Sequence, residues 1–197
     1  MSDKVENRIN TLFATLLSYP WDDVTGVAAR TIEVLRDHTS YPQEAIDEVK
    51  VFADEAGKIS LDDLQGIYSY TFEIASGEFS LDVGYHLHDG FKRSNALVSL
   101  KELYKSRGFP YDKVAKGELA DNLTVLLRFF DFTDEEALRN ELRESFLVKG
   151  LEQLNKNFDL KPDTETPYRH LLKALGLMVE ADLKSAELLE GRESFNA

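Results

Sequence analysis

Apolar residues return at helical spacing along almost the whole chain. Ile9, Leu12, Phe13, Leu16 and Leu17 form a first stripe that stops at Tyr19-Pro20, where proline and the limits it sets on the residue before it end a helix. Val24, Val27, Ala28, Thr31, Val34 and Leu35 form a second stripe, and Ile46, Val49 and Phe52 a shorter third between Pro42 and Gly57. Ser60 ahead of Leu61-Asp62-Asp63 reads as a cap followed by acids set against the positive end of a helix dipole. Leu64, Ile67, Tyr68, Thr71 and Phe72 continue with the same period.

Residues 76 to 91 break the pattern. Ser76-Gly77, Gly84 and Gly90 predict a turn, a short helical piece and another turn. Helix resumes near Lys92 with Ala96, Leu97, Leu100, Leu103 and Tyr104, and leaves through Gly108-Phe109-Pro110. Glu118 to Phe130 carries Leu119, Leu123, Leu126, Leu127 and Phe130 on one predicted helix. Thr133-Asp134-Glu135-Glu136 reads as a cap and acidic first turn before Leu138, Leu142, Phe146, Leu151 and Leu154. Thr166-Pro167 opens a last helix through Leu171, Leu172, Leu175, Met178, Val179 and Leu183. No stretch alternates with period two. The expectation is an all-α fold, a single globular bundle of about eight helices over residues 1–197. After the linker-like Lys161–Glu165, the last helix, about 166–190, is expected to pack less tightly than the rest.

Charge and composition narrow the function. The chain has 36 acids against 23 bases, a net charge of −13 that disfavours nucleic acid and favours a basic peptide as partner. With no cysteine, disulfides, thiolate metal sites and cysteine nucleophiles are excluded, and a reducing compartment is compatible. The N-terminal stretch contains acidic residues and lacks a secretory apolar run, and nowhere do about 18 apolar residues follow one another, so no membrane insertion is expected.

Motifs of common chemistries are missing. No phosphate loop, dinucleotide fingerprint or nucleophile elbow occurs. The histidines His38, His86, His88 and His170 lack the Glu-x-x-His spacing of helical di-metal sites. His86-x-His88-Asp89 places two imidazoles and a carboxylate in one loop, but alternating residues diverge on an extended chain and no third convergent ligand is evident, so neither a metal nor another cofactor is expected.

The central stretch carries a longer pattern. Tyr68-x-x-Thr71-Phe72 is followed by Gly84-Tyr85-His86-Leu87-His88-Asp89-Gly90 and by Lys92-Arg93-Ser94-x-Ala96-Leu97-x-x-Leu100, with Tyr104 and Gly108 beyond. Glu118-Leu119-x-Asp121-Asn122-Leu123 then opens a leucine-rich run. Over residues 60 to 130 this resembles the molybdoenzyme maturation chaperones, the group that includes the nitrate reductase delta subunit and the trimethylamine-oxide and dimethyl-sulfoxide reductase chaperones. The spacing is closest to the nitrate-reductase branch. Where that family often has Glu-x-Pro-Asp-His, this chain has Glu118-Leu119-Ala120-Asp121-Asn122, without the proline and histidine. The resemblance implies a helical cytoplasmic protein without catalysis. Its partner would be the N-terminal, leader-like peptide or apo form of a molybdenum-enzyme catalytic subunit, held until the cofactor is inserted and export or membrane attachment follows.

Such a peptide has a basic head and an apolar stretch, so its receptor needs an apolar groove with carboxylates at one end. Tyr68 and Phe72 lie one helical turn apart and are expected to share a face, as are Glu118 and Asp121 at a helix start. With His86, His88, Asp89, Arg93 and Asn122 these make the expected peptide-binding set, Arg93 being equally placed to fix the loop by pairing with Asp89 or Asp121. Two other readings stay open: a helical metal-dependent enzyme using His86, His88 and nearby carboxylates, and a helical adaptor for an unrelated protein.

Overall fold

The structure is a computed structural model that describes residues 8–38, 40–74 and 77–195. The expected turn at Ser76 and the reading of the first seven residues lie outside the described residues. The fold is all-α: among the described residues there is no strand, and two segments meet only in an isolated antiparallel bridge between Asp82 and Asn122.

Helix α1 (Ile9–Leu16) is followed by α2 (Val24–Asp37), α3 (Gln43–Ala56) and α4 (Leu61–Tyr68), which runs on as a π-turn over Ser69–Ile74. Asp23 caps α2 by accepting from Gly26 N at 2.9 Å, and Ser60 caps α4 by accepting from Asp63 N at 3.2 Å. Then come α5 (Val83–Leu87), α6 (Gly90–Ser106) and α7 (Tyr111–Ala115). Helix α8 (Leu123–Phe132) leads to α9 (Glu136–Leu142), a second π-turn over Arg143–Leu147, α10 (Val148–Leu160) and the long α11 (Tyr168–Phe195).

Helix α8 forms the axis. Leu123, Val125, Leu126, Leu127, Phe129 and Phe130 are all buried, while Arg128 and Asp131 on its polar stripe bond to α1 and to Ser18 just past the end of α1. Helix α1 packs along it, and α2, α3, α11 and α10 follow in turn against one another. The start of α1 has no cap of its own. Asp131 near the end of α8 supplies one, accepting from Thr11 N at 2.6 Å and Asn10 Nδ2 at 2.8 Å.

The first half of α11 corrects the expectation of a loosely packed last helix. Tyr168, Leu171, Leu172, Ala174 and Leu175 are completely buried. Farther along, Asp182 holds the buried Arg143 at 3.0 Å, and Arg143 also bonds Glu136 and Asn140, each at 2.6 Å. Beyond this anchor Lys184, Ser185, Glu187 and Leu188 stand exposed.

A chain of rings links this core to one face of the molecule. Phe52 meets Tyr168 at 5.7 Å between centroids, Tyr168 meets Tyr68 at 5.4 Å, Tyr68 meets Tyr19 at 5.6 Å, and Tyr19 meets Trp21 at 4.9 Å. The hydroxyl of Tyr68 donates to Leu17 O at 3.1 Å, which fixes the end of α1 against α4. Along this chain of rings the two contacts of Tyr68 are edge-to-face and the outer two tilted, and rings packed this way form a stiff wall.

Candidate functional site

Three segments distant in sequence converge beside this wall. Arg93, on the first turn of α6, donates through Nε to Asp121 Oδ2 at 2.9 Å and through Nη2 to Asp82 Oδ2 at 3.0 Å. The Asp121 side chain is 1% exposed, so its charge is answered by Arg93 rather than by water. Burial still pushes the Asp121 carboxyl above its ordinary range, with Asp82 adding to the rise and Arg93 opposing it. Val83 N donates to Asp121 O at 3.0 Å and Leu123 N to Leu81 O at 2.7 Å, so the backbone ties the same two segments. Gly84 permits the approach: a Cβ there would lie 2.3 Å from Asp121 Oδ2.

Asn122 joins this strut to the surface. Its Oδ1 caps α8 by accepting from Thr124 N at 3.0 Å and from the Thr124 hydroxyl at 2.8 Å. Its Nδ2 donates to Asp82 Oδ1 and to Glu118 Oε2, each at 3.1 Å. Glu118 is exposed at the other end of the network. Partial loss of hydration, then Asp82 and Glu73, raise its carboxyl above the usual range. The chain reaches Glu118 through a tight turn in which Lys116 takes φ 52 and Gly117 takes φ 105.

Glu118 stands on the lip of a cleft of about 750 Å³. One side is the end of α1 with the Tyr19–Asp23 loop and the start of α2, contributing Tyr19, Trp21, Val24 and Val27. The other is Tyr68, Glu73, Val114 and the Lys116–Glu118 turn, with Asn122, Thr124 and Arg128 at the base. Trp21 is 74% exposed, an unusual position for the one tryptophan of the chain. Arg128 closes the base by donating to Thr124 O at 3.0 Å and the Ser18 hydroxyl at 3.1 Å. Burial lowers its guanidinium pKa, with Tyr68 offsetting part of that. The lining is mixed in charge: Asp22, Asp23, Glu73 and Glu118 occur with Arg30, Lys113 and Lys116, and Arg30 lies 3.8 Å from Asp23.

The residues singled out in the sequence therefore divide. Tyr68, Glu118 and Asn122 line the cleft. Phe72 touches Tyr68 at 5.0 Å as the helical spacing requires, but it packs inward on Tyr168 at 5.4 Å and is not in the cleft lining. Asp121 and Glu118 do not share a helical face. Both precede α8, and backbone bonds turn Asp121 inward while Glu118 stays at the surface. Asp121 is thus unable to serve as an acidic rim.

Arg93 pairs with Asp121 and Asp82 and not with Asp89, which is exposed. His86 Nε2 lies 2.8 Å from Ser80 O, and burial lowers its pKa, the Ser80 bond and nearby acids offsetting part of that. His88 instead lines a separate shallow hollow with Tyr85, Asp89 and Arg93. The two imidazoles do not converge, and among the described residues no group of three or more His, Asp or Glu is placed to hold a metal ion. No helix among them is long and apolar enough to cross a membrane.

Sequence reasoning missed the Tyr19–Asp23 wall. Its signal was present as two aromatics around a proline followed by two acids, in a segment that has to be a loop. No protein-family model matches the chain, and no curated protein matches it.

Proposed function

We propose that this chain is a cytoplasmic assembly chaperone. It holds the N-terminal, leader-like segment of a molybdenum-containing oxidoreductase catalytic subunit while the cofactor is inserted, before export or membrane attachment. The client class rests on the resemblance of residues 60 to 130 to that chaperone family. The observation that carries peptide binding is the cleft, where Trp21, Tyr19, Val24, Val27 and Val114 offer apolar surface beside the Glu118 and Glu73 carboxylates. A stiff aromatic wall loses little entropy on binding, and an exposed tryptophan at its edge is the type of residue that dominates peptide interfaces. The two carboxylates suit the basic head of a leader.

The test uses Trp21, the sole tryptophan, as reporter. Peptides with a basic head and an apolar stretch, taken from the starts of molybdoenzyme subunits, are titrated by fluorescence and calorimetry against scrambled controls. Micromolar to nanomolar binding, roughly −8 to −12 kcal/mol, is expected. Trp21→Ala, read by calorimetry, should weaken it by about 2 kcal/mol. Glu118→Gln should weaken it and reduce its salt dependence. A protein that binds none of these peptides and co-purifies with no molybdoenzyme subunit would sink the assignment.

A further inference from the structure

Two surfaces of this chain complement each other, and among the described residues neither is covered. The first is the outer stripe of α6. That helix packs inward through Ala96, Leu97, Leu100, Leu103 and Tyr104, which leaves Phe91 79% exposed and Val98, seven residues on, 56% exposed. Residues seven apart fall on one stripe of a helix. Lys101 and Lys105, one turn apart, flank it on one side, and neither forms an ion pair among the described residues. From residue 91 to residue 117 the chain has seven Lys and Arg against two acids, a basic stretch in a protein whose net charge is −13.

The second surface is a trough of about 930 Å³ between α4 and the connection from α10 to α11. Its apolar floor includes Tyr70 and Leu160, 66% and 70% exposed. Asp62, Asp63, Asp163 and Glu165 line its rim, and none of the four has a cation partner among the described residues; Lys161, also in the lining, is paired with Glu78. Past Glu165 the trough opens into a second hollow lined by Thr166, a residue 5% exposed whose hydroxyl has no hydrogen-bond partner.

We propose that the trough of one copy receives the α6 ridge of a second copy. A convex helix stripe with apolar tips and a basic flank matches a concave apolar floor with an acidic rim in shape and in sign. The contact joins different patches, so it is head-to-tail, and each added copy keeps one free ridge and one free trough. The net charge opposes association at long range. At physiological salt the Debye length is about 8 Å, which screens that repulsion while leaving contacts between touching groups.

Sedimentation of the full chain over a concentration series at about 0.15 M salt tests this. The mass should rise above the 22.4 kDa monomer with concentration and fall back at about 1 M salt, where the Debye length is about 3 Å. Reversing the ridge (Lys101→Glu with Lys105→Glu) should weaken association at least about tenfold, as should reversing the trough (Asp62→Lys with Asp63→Lys). Mixing the two proteins should recover part of it, because the acidic ridge of one then meets a trough whose rim carries two lysines beside Asp163 and Glu165. All four positions are exposed, so circular dichroism should show both variants folded. A monomer at every concentration overturns the proposal. So does association that survives both reversals, or a mixture of folded variants that recovers none of it. Binding of α6 to anionic vesicles by a protein that stays monomeric overturns it as well.

Discussion

Replacing Arg93 with methionine should be the most informative single change. Methionine keeps the aliphatic stem but removes the cation that faces Asp121 and Asp82 at 2.9 and 3.0 Å. Removing one partner of a buried ion pair costs about 3–5 kcal/mol. The low end, about 3 kcal/mol, applies here because the Arg93 and Asp82 side chains keep 20% and 21% exposure and Asp82 can turn to water. In a chain of this size that lowers the melting temperature by about 6–12 °C.

The pH dependence discriminates further. Burial already raises the Asp121 carboxyl, and without Arg93 it should rise more. A group raised in the folded state contributes stability that is fully present below its unfolded pKa and is lost as pH rises through its folded pKa. The gap between variant and wild type should therefore be small in acid and reach its full size near neutrality. Urea melts of both proteins, at about pH 4.5 and about pH 7, measure this gap. A deficit below about 1 kcal/mol at neutral pH, or one that does not change with pH, would refute the view of Arg93 as the counter-charge that allows Asp121 to be buried.

The remaining predictions use the same reasoning elsewhere. Gly84→Ala forces a Cβ to within 2.3 Å of an Asp121 oxygen held by Arg93, and chemical denaturation should show a loss of about 1–3 kcal/mol. Gly66→Ala, where a Cβ meets nothing within 4 Å inside α4, should instead stabilise by about 0.5–1 kcal/mol. Phe72→Ala removes a ring packed on Tyr68 and Tyr168, so it should cost about 3 kcal/mol in a thermal melt yet leave peptide affinity, measured below that melt, unchanged. Glu48→Gln should show a deficit that grows from acid to neutrality, as for Arg93→Met, but for a different cause. Burial alone would raise the Glu48 carboxyl, but its bonds to Lys173 and His170 outweigh that and hold it low. Its contribution, about 1 kcal/mol, is present above the unfolded pKa and lost as pH falls through the folded one, so the deficit seen at pH 7 should vanish in acid.

Helical period, caps and breakers made much of the architecture legible in advance. Ser60, Pro42 and the Gly108-Phe109-Pro110 exit mark helix ends by local chemistry that needs no tertiary partner. The α8 region shows where that legibility stops. The leucines predicted a helix from Glu118, but it starts at Leu123 because Asn122 caps it and Asp121 is drawn into the bridge with the Asp82 segment. For the first half of the last helix the expected looseness failed for a similar reason. A Pro- and acid-rich connection marks a flexible approach, yet Tyr168 and Leu171 enter a core built from α1, α3 and α4.

Sequence by itself determined the class of fold, the helix-forming segments and the acidic character, because each follows from residues within a turn or two of one another or from plain composition. Of the residues that the sequence singled out, Tyr68, Glu118 and Asn122 line one cleft. Tertiary structure decided which acid of the Glu118/Asp121 pair meets water, that Arg93 serves an internal strut, and that Trp21 forms the far wall of the cleft. Periodicity says which face of a helix is buried but not what covers it. A polar side chain is placed by partners far along the chain, and Arg93 and Asp121, 28 residues apart, acquire their roles only when the fold brings them within 2.9 Å.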